Sequence, residues 1–228
     1  MLHVLLSLLL IASVNGSYLV ENEPFLRFTE NHLVEQSAPE RINPENVGVK
    51  VTADKYFVLD VGSGKVLAEQ NSNIKQPIAS ITKLMTALVI LDLEPDWQAP
   101  VEMLKVDETI GAQPHIYRGE QVLFSDLWKA ALISSDNNSI MAMVRSLGFT
   151  RGEFVELMNR KAEELDLHNT NFDDPTGLSI LNTSTATDVA KLIYHSHVRN
   201  KIREAAIQNE YSFPIQNSRK NRRIFATD

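Results

Sequence analysis

"PIASITKLMTALVILD", residues 77–92, is the stretch on which the reading of the whole chain turns. From Ile81 to Leu93 it is apolar nearly all round, and a helix of that kind lies inside a domain, not on its surface. Ser80 and Lys83 stand three residues apart at its mouth, and positions three apart share a helix face. Ser72-Asn-Ile-Lys75 has the same spacing. There, Pro77 disfavours helical φ/ψ at Gln76, so Lys75 is not expected one turn above Ser72. A serine hydroxyl becomes a useful nucleophile only beside a base. A lysine is that base only when neutral, which takes desolvation or neighbouring positive potential. A buried helix whose N-terminal dipole end adjoins the serine offers both, and its unpaired first-turn amides point where an oxyanion would form. On this segment alone, a capping serine with a snorkelling lysine is the competing reading.

A second element lies further on. "LISSDNNS", residues 132–139, carries Ser135-Asp136-Asn137 between two helical patterns, where a loop can deliver side chains into a cleft. Ser135 is a candidate to pass a proton between Lys83 and a leaving group. Asn137 offers an amide donor and acceptor to a peptide-like substrate. The plainer alternative is a polar loop with Asn138 or Ser139 capping the next helix.

The chain has 228 residues, 43% of them hydrophobic, which is enough for one large domain or two small ones with a real core. A net charge of −7 gives no electrostatic reason to expect nucleic acid. The absence of cysteine excludes disulfides, thiolate metal sites and a cysteine nucleophile. "MLHVLLSLLLIASVNG", residues 1–16, is too short to span a bilayer comfortably and reads as a signal peptide, cleaved after Gly16. Residues 17–46 mix prolines and acids without a period and read as a linker to a domain over 47–228.

Within that domain, 56–70 reads as a hairpin turning at Gly62-Ser63-Gly64. Ser125 is expected to cap a helix followed by Asp126, Gly148 to stop the next one, and Thr185 with Asp188 to cap another. Phe154, Val155, Met158, Ala162 and Leu165 form one stripe of an amphipathic helix. "EYSFPIQNSRKNRRIF", residues 210–225, opens a second hairpin. The order suggests an α/β or α+β domain with a mainly antiparallel sheet flanked by helices. One hairpin and one further strand make a thin sheet for so many helices, so the sheet is expected to be unfinished at Asp228. His195-x-His197 reads as ordinary surface and not a metal pair, because helical i, i+2 positions diverge. The basic cluster at 218–223 reads as a solvated hairpin loop.

Ser-x-x-Lys paired with Ser-x-Asn is a combination shared by penicillin-binding proteins and class A β-lactamases. The segments "YFVLDVGSGKVLAEQN", "PIASITKLMTALV", "RGEQVLFSDLWKAALISSDNNS", "FVELMNRKAEEL", "NTNFDDPTGLS" and "STATDVAKLI" together resemble the serine D-alanyl-D-alanine carboxypeptidases, the low-molecular-mass penicillin-binding proteins, in order and spacing. The resemblance implies a β-lactamase/transpeptidase-like fold. It implies Ser80 as the acylated nucleophile, Lys83 as its base, Ser135 as proton relay and Asn137 as a ligand of the substrate amide. It further implies peptidoglycan stem peptides as substrate, β-lactams as inhibitors and no metal or organic cofactor. The expected location is the periplasm or the outer face of the cytoplasmic membrane, with peripheral membrane association left open. The family's third motif, Lys-Thr-Gly on a strand, does not occur in the 228 residues, which leads to the expectation of a C-terminally incomplete chain. A class A-like β-lactamase and a non-catalytic penicillin-fold protein binding wall peptides are the alternatives.

Overall fold

The computed structural model describes residues 38–43, 45, 51–109 and 114–226. The expected leader 1–16 and most of the linker 17–46 lie outside the described residues. The chain divides into two compact units, Met1–Asn43 with Asp60–Lys65, and Pro44–Leu59 with Val66–Asp228. In the first, the 60–65 turn closes on itself: Ser63 N donates to the Asp60 carboxylate at 2.8 Å, and Gly64 takes φ +71°.

The second unit holds every described helix and strand. Its elements run β1 (Tyr56–Leu59), β2 (Val66–Gln70), β3 (Gln76–Pro77), α1 (Thr82–Asp92), β4 (Pro100–Glu102), β5 (Gln121–Leu123), α2 (Phe124–Ile133), α3 (Asn137–Ser146), α4 (Arg151–Glu164), β6 (Thr183–Ser184), α5 (Ala186–His197), α6 (Asn200–Ala206), β7 (Glu210–Pro214) and β8 (Asn221–Phe225). Both expected hairpins are present and antiparallel, with Tyr56 opposite Gln70 and Glu210 opposite Phe225. Among the described residues no sheet exceeds two strands, the other pairs being β3–β6 and β4–β5. Those two pairs were not expected. Each links segments far apart in sequence, so no local turn announces it.

The core forms around α1. Met85, Ala87, Leu88, Val89 and Ile90 are all buried, with Phe154 and Met158 of α4 and Leu192 of α5 in the same cluster. Burying each large aliphatic side chain contributes about 1.5–3 kcal/mol, and Ile90→Ala would cost ~2–5 kcal/mol in transfer and cavity terms. The α4 stripe lies as expected, with Phe154, Met158 and Ala162 buried and Val155 and Leu165 partly so.

Capping departs from expectation at α2. Its N-cap is Leu123, not Ser125, because Asp126 at the third helical position reaches back to accept from Leu123 N at 3.1 Å. Phe124, only 2% exposed, starts the helix inside the core and so pulls its beginning forward. Neither Asn138 nor Ser139 caps α3; Asp136 does, accepting from Ser139 N at 2.8 Å. Gly148 ends that helix at φ +85°, and Thr185 caps α5 by accepting from Asp188 N at 3.1 Å. His197 is exposed, but His195 is half-buried in a cleft of about 340 Å³ beside Leu88, Asp92 and Lys161, so it is not plain surface. Burial, then the Arg199, Lys191 and Lys161 charges, hold its imidazole below the usual value against the pull of Asp166. No described helix is long and apolar enough to cross a membrane.

Candidate active site

Pro77 ends β3, and the chain then bends sharply. Ala79 sits at φ +47°, a left-handed conformation that an L-residue adopts at a cost of order 1–3 kcal/mol and that collects at functional sites. A 3₁₀ turn, Ala79–Ile81, leads directly into α1. Ser80 therefore lies in the turn before the α-helix instead of in its first turn, and its register with Lys83 is kept. Ser80 is exposed, whereas Lys83 is 3% exposed. Lys83 Nζ lies 3.1 Å from Ser80 Oγ and donates to the carbonyl oxygen of Thr176 at 2.8 Å. Burial lowers the Lys83 ammonium from 10.5 to about 8, although the carboxylates of Asp136 and Asp174 work the other way. Desolvation is thus the cause, as the buried helix suggested. The flanking charges are negative, not positive. The competing Ser72 pair is not formed: Ser72 Oγ donates to Glu69 at 2.6 Å and Lys75 is exposed.

Ser135 and Asn137 sit on the connection between α2 and α3. The connection closes by Ser134 N and Asp136 N both donating to Ala130 O at 3.2 Å, with Ser135 left-handed at φ +56°. Glycine is the usual residue in such a helix-ending position, so a serine there accepts strain. Asp136 and Asn138 turn away to hold the preceding strap: Asp136 accepts from His115 N at 2.8 Å, and Asn138 accepts from Thr109 N at 2.9 Å. Among the described residues, Ser135 and Asn137, which alternate with them, show no such tether. Asn137 Oδ1 is buried with no hydrogen-bond partner. An acceptor held dry and unpaired is costly by about 1–3 kcal/mol unless something occupies it.

One part of the site had no expected role. The turn 174–177 lies across Ser80 and α1 and carries the Thr176 carbonyl to Lys83. Asp174 organises it, accepting from the amides of Thr176 (2.9 Å), Gly177 (2.6 Å) and Ser179 (2.9 Å). Burial works to raise this carboxyl, but those amides, with the Arg151 charge, hold it below its usual value. Asn182, fully buried, donates to Thr82 Oγ1 at 3.0 Å and to the Asp174 carbonyl at 2.9 Å. Thr86 Oγ1 donates to Pro175 O at 2.6 Å. The only signal in the sequence was "NTNFDDPTGLS" as a block, without a role for any of its residues. A groove of about 380 Å³ is lined by Ala79 and Ile81, the two neighbours of Ser80 in sequence, and by Phe57, Ile78, Val189 and Ile193.

The arrangement can accept a proton from Ser80 at a buried amine and present the serine to an acyl carbon. Comparison with known proteins gives the family. The chain is 39% identical over 149 residues to the D-alanyl-D-alanine endopeptidase of Pseudomonas aeruginosa, covering 64% of this chain and 48% of that one. It is 32% identical over 193 residues to the D-alanyl-D-alanine carboxypeptidase DacC of Escherichia coli, covering 78% and 48%. The crystal structure of a D-alanyl-D-alanine carboxypeptidase from Mycobacterium tuberculosis superposes with a TM-score of 0.70 at 27% identity, covering 77% of this chain and 67% of that one. The fold is therefore the α/β penicillin-binding fold. The chain spans about half the length of the curated relatives it matches. Residues 39–225 match the family described as peptidase S11, D-alanyl-D-alanine carboxypeptidase, and the chain belongs to that family.

Proposed function

We propose that this chain carries the nucleophile of a serine D-alanyl-D-alanine carboxypeptidase that removes the terminal D-alanine of peptidoglycan stem peptides. Ser80 Oγ attacks the carbonyl carbon of the penultimate residue while its proton passes to Lys83 Nζ. The C–N bond breaks, the leaving amine takes that proton through Ser135, and water later hydrolyses the Ser80 ester. Asn137 holds the substrate amide. The observation that carries this reading is the Lys83–Ser80 hydrogen bond at 3.1 Å, made by a buried amine brought down to about 8. An amine poised near the working pH is the form of base such chemistry needs. The domain over 47–228 works outside the cytoplasmic membrane, behind the 1–16 leader and 17–46 linker. β-Lactams acylate the same serine.

Labelling with a fluorescent penicillin tests the reading. The chain should become covalently tagged, and Ser80→Ala should not. A tag that persists in Ser80→Ala would remove Ser80 from the mechanism.

A second substrate reading is favoured by the Pseudomonas aeruginosa relative, which is an endopeptidase by name and is 39% identical. The same acyl transfer would then cut a D-alanyl bond with peptide on both sides. Comparing a stem pentapeptide with a cross-linked muropeptide dimer separates the two. Free D-alanine is released only by the first activity.

A further inference from the structure

The 174–177 turn touches both members of the Ser80–Lys83 pair by main-chain atoms. Thr176 supplies a carbonyl oxygen 2.8 Å from Lys83 Nζ. Gly177, at φ +92°, lies so close to the nucleophile turn that a β-carbon on it would stand 2.1 Å from Ala79 O, 2.5 Å from Ala79 C and 2.9 Å from Ser80 N. Real β-carbons do not approach backbone so closely, so the contact exists only because residue 177 has no side chain. The turn is itself fixed at several points, through Asp174, Thr86 to Pro175, and Asn182 to Thr82. Ile78 N also donates to Asn182 O at 3.0 Å, tying the strand before Ser80 to the same loop.

We infer that the 174–177 turn is the positioning element of the nucleophile: the Thr176 carbonyl aims the Lys83 amine at Ser80, and Gly177 sets the Ala79–Ser80 peptide by direct backbone contact. The inference rests on the reading of Ser80 and Lys83 as nucleophile and base. A neutral amine has two hydrogens and one lone pair. With Cε fixed by burial and one hydrogen held by Thr176 O, the lone pair and the second hydrogen share the two remaining tetrahedral positions, one of which can face the Ser80 proton. The Ala79–Ser80 peptide carries the Ser80 amide, a backbone donor on the nucleophile itself. A shift in that peptide displaces the oxygen nucleophile and its neighbouring donor together. Gly177, Thr176 and Asp174 are positioning residues; none takes part in the proton transfer.

Two variants test this. In Gly177→Ala the new β-carbon must push the Ala79 carbonyl aside by more than an ångström, and misplacement of that size costs about 10²-fold in rate. Asp174→Asn keeps the Oδ1 that accepts from Thr176 and Gly177, loses the Oδ2 acceptor of Ser179 N, and removes one of the two charges facing Lys83, the other being Asp136 at the head of α3. Lys83 is titrated by ¹³C NMR of its Cε resonance, a readout independent of turnover, and acylation is followed with fluorescent penicillin. The expected results are a lower Lys83 midpoint in Asp174→Asn and about a 10²-fold slower acylation in folded Gly177→Ala. An unchanged midpoint in Asp174→Asn, or wild-type acylation by folded Gly177→Ala, would overturn the inference. Should Gly177→Ala not fold, the acylation rate of Asp174→Asn at a pH above its own Lys83 midpoint decides: a slowed rate is expected from the loosened turn, and a wild-type rate would overturn the inference. If the wild-type chain is never acylated, the Ser80 reading fails instead, and the titration still reports whether the turn governs Lys83.

Discussion

Lys83 donates to the carbonyl oxygen of Thr176 at 2.8 Å, across 93 residues of sequence. The contact stands in for the water that a lysine loses on burial, and it leaves the amine within reach of Ser80. The cost of that burial is visible in the lowered proton affinity.

The first prediction follows from that cost. Acylation should rise with pH along a single limb centred near 8 and then level off, because only the neutral amine accepts the Ser80 proton. Stability should respond in a linked way. Lys83 holds its proton up to about 8 when folded and to about 10.5 when unfolded. Between those values the unfolded chain binds more protons, so stability rises with pH there and is flat for this group on either side. The full change is about 3 kcal/mol. Urea unfolding of wild type and Lys83→Met should therefore show a free-energy gap that moves in favour of wild type from pH 8 to 10.5. A gap that does not vary with pH would show that burial does not lower the proton affinity of Lys83.

Asn137 should show function and stability pulling apart. Its Oδ1 is buried and unpaired in the free protein. Removing an unsatisfied acceptor can be neutral or stabilising, whereas most polar-to-apolar changes in a folded site are not. Asn137→Ala is expected to unfold at the same urea concentration as wild type or a higher one. Its acylation by penicillin should fall by about 10²-fold if the amide meets the substrate in the transition state. Loss of stability without loss of acylation would mark Asn137 as structural.

The contact between Ser80 and Lys83 was legible from residue types. Ser80 and Lys83 pair because a helical register brings positions three apart together, and Pro77 removed the rival at Ser72. The place of Asn137 at the join of α2 and α3 was legible because a short polar run separates two helical patterns. Thr176 was not legible, since its contribution is a carbonyl oxygen that every residue possesses. Gly177 resembled any turn glycine, because a close approach to Ala79 and Ser80 has no counterpart in the local sequence. Ser125 looked like a cap by type, but the burial of Phe124 and the backward reach of Asp126 put the helix start two residues earlier. The β3–β6 pair, Gln76 opposite Ser184, has no periodicity to detect in two residues.

The hold of α1 on Pro175 can be measured apart from the chemistry. Thr86 is fully buried, and its hydroxyl donates to Pro175 O at 2.6 Å. Thr86→Val keeps the shape and strands that carbonyl, which should cost about 1–3 kcal/mol. Because Pro175 adjoins Thr176, acylation should slow as well, with the loss read at a pH above the Lys83 limb. Unaltered acylation in a destabilised Thr86→Val would show that the turn keeps its position without this bond.

The last prediction concerns what holds α3 in place. Arg145, in the last turn of α3, grips both oxygens of Asp107 at 2.8 and 2.9 Å and reaches Glu102 O at 2.7 Å. Asp107 is 1% exposed, while the arginine side chain is 33% exposed. Breaking a buried pair from one side leaves an uncompensated charge, a larger loss than the pair itself was worth. Arg145→Met strands Asp107, and with the arginine partly solvated the expected cost is about 2–4 kcal/mol. Replacing both partners, as in Asp107→Leu with Arg145→Met, removes the stranded carboxylate. It gives up only the bond from Leu104 N at 2.7 Å and the Glu102 contact. The double variant should therefore be more stable than Arg145→Met alone, an order that simple addition of two losses forbids. Urea unfolding of wild type, both single variants and the double closes the cycle. If the double variant is the least stable of the four, Asp107 holds the 100–107 segment through Leu104 and not through Arg145.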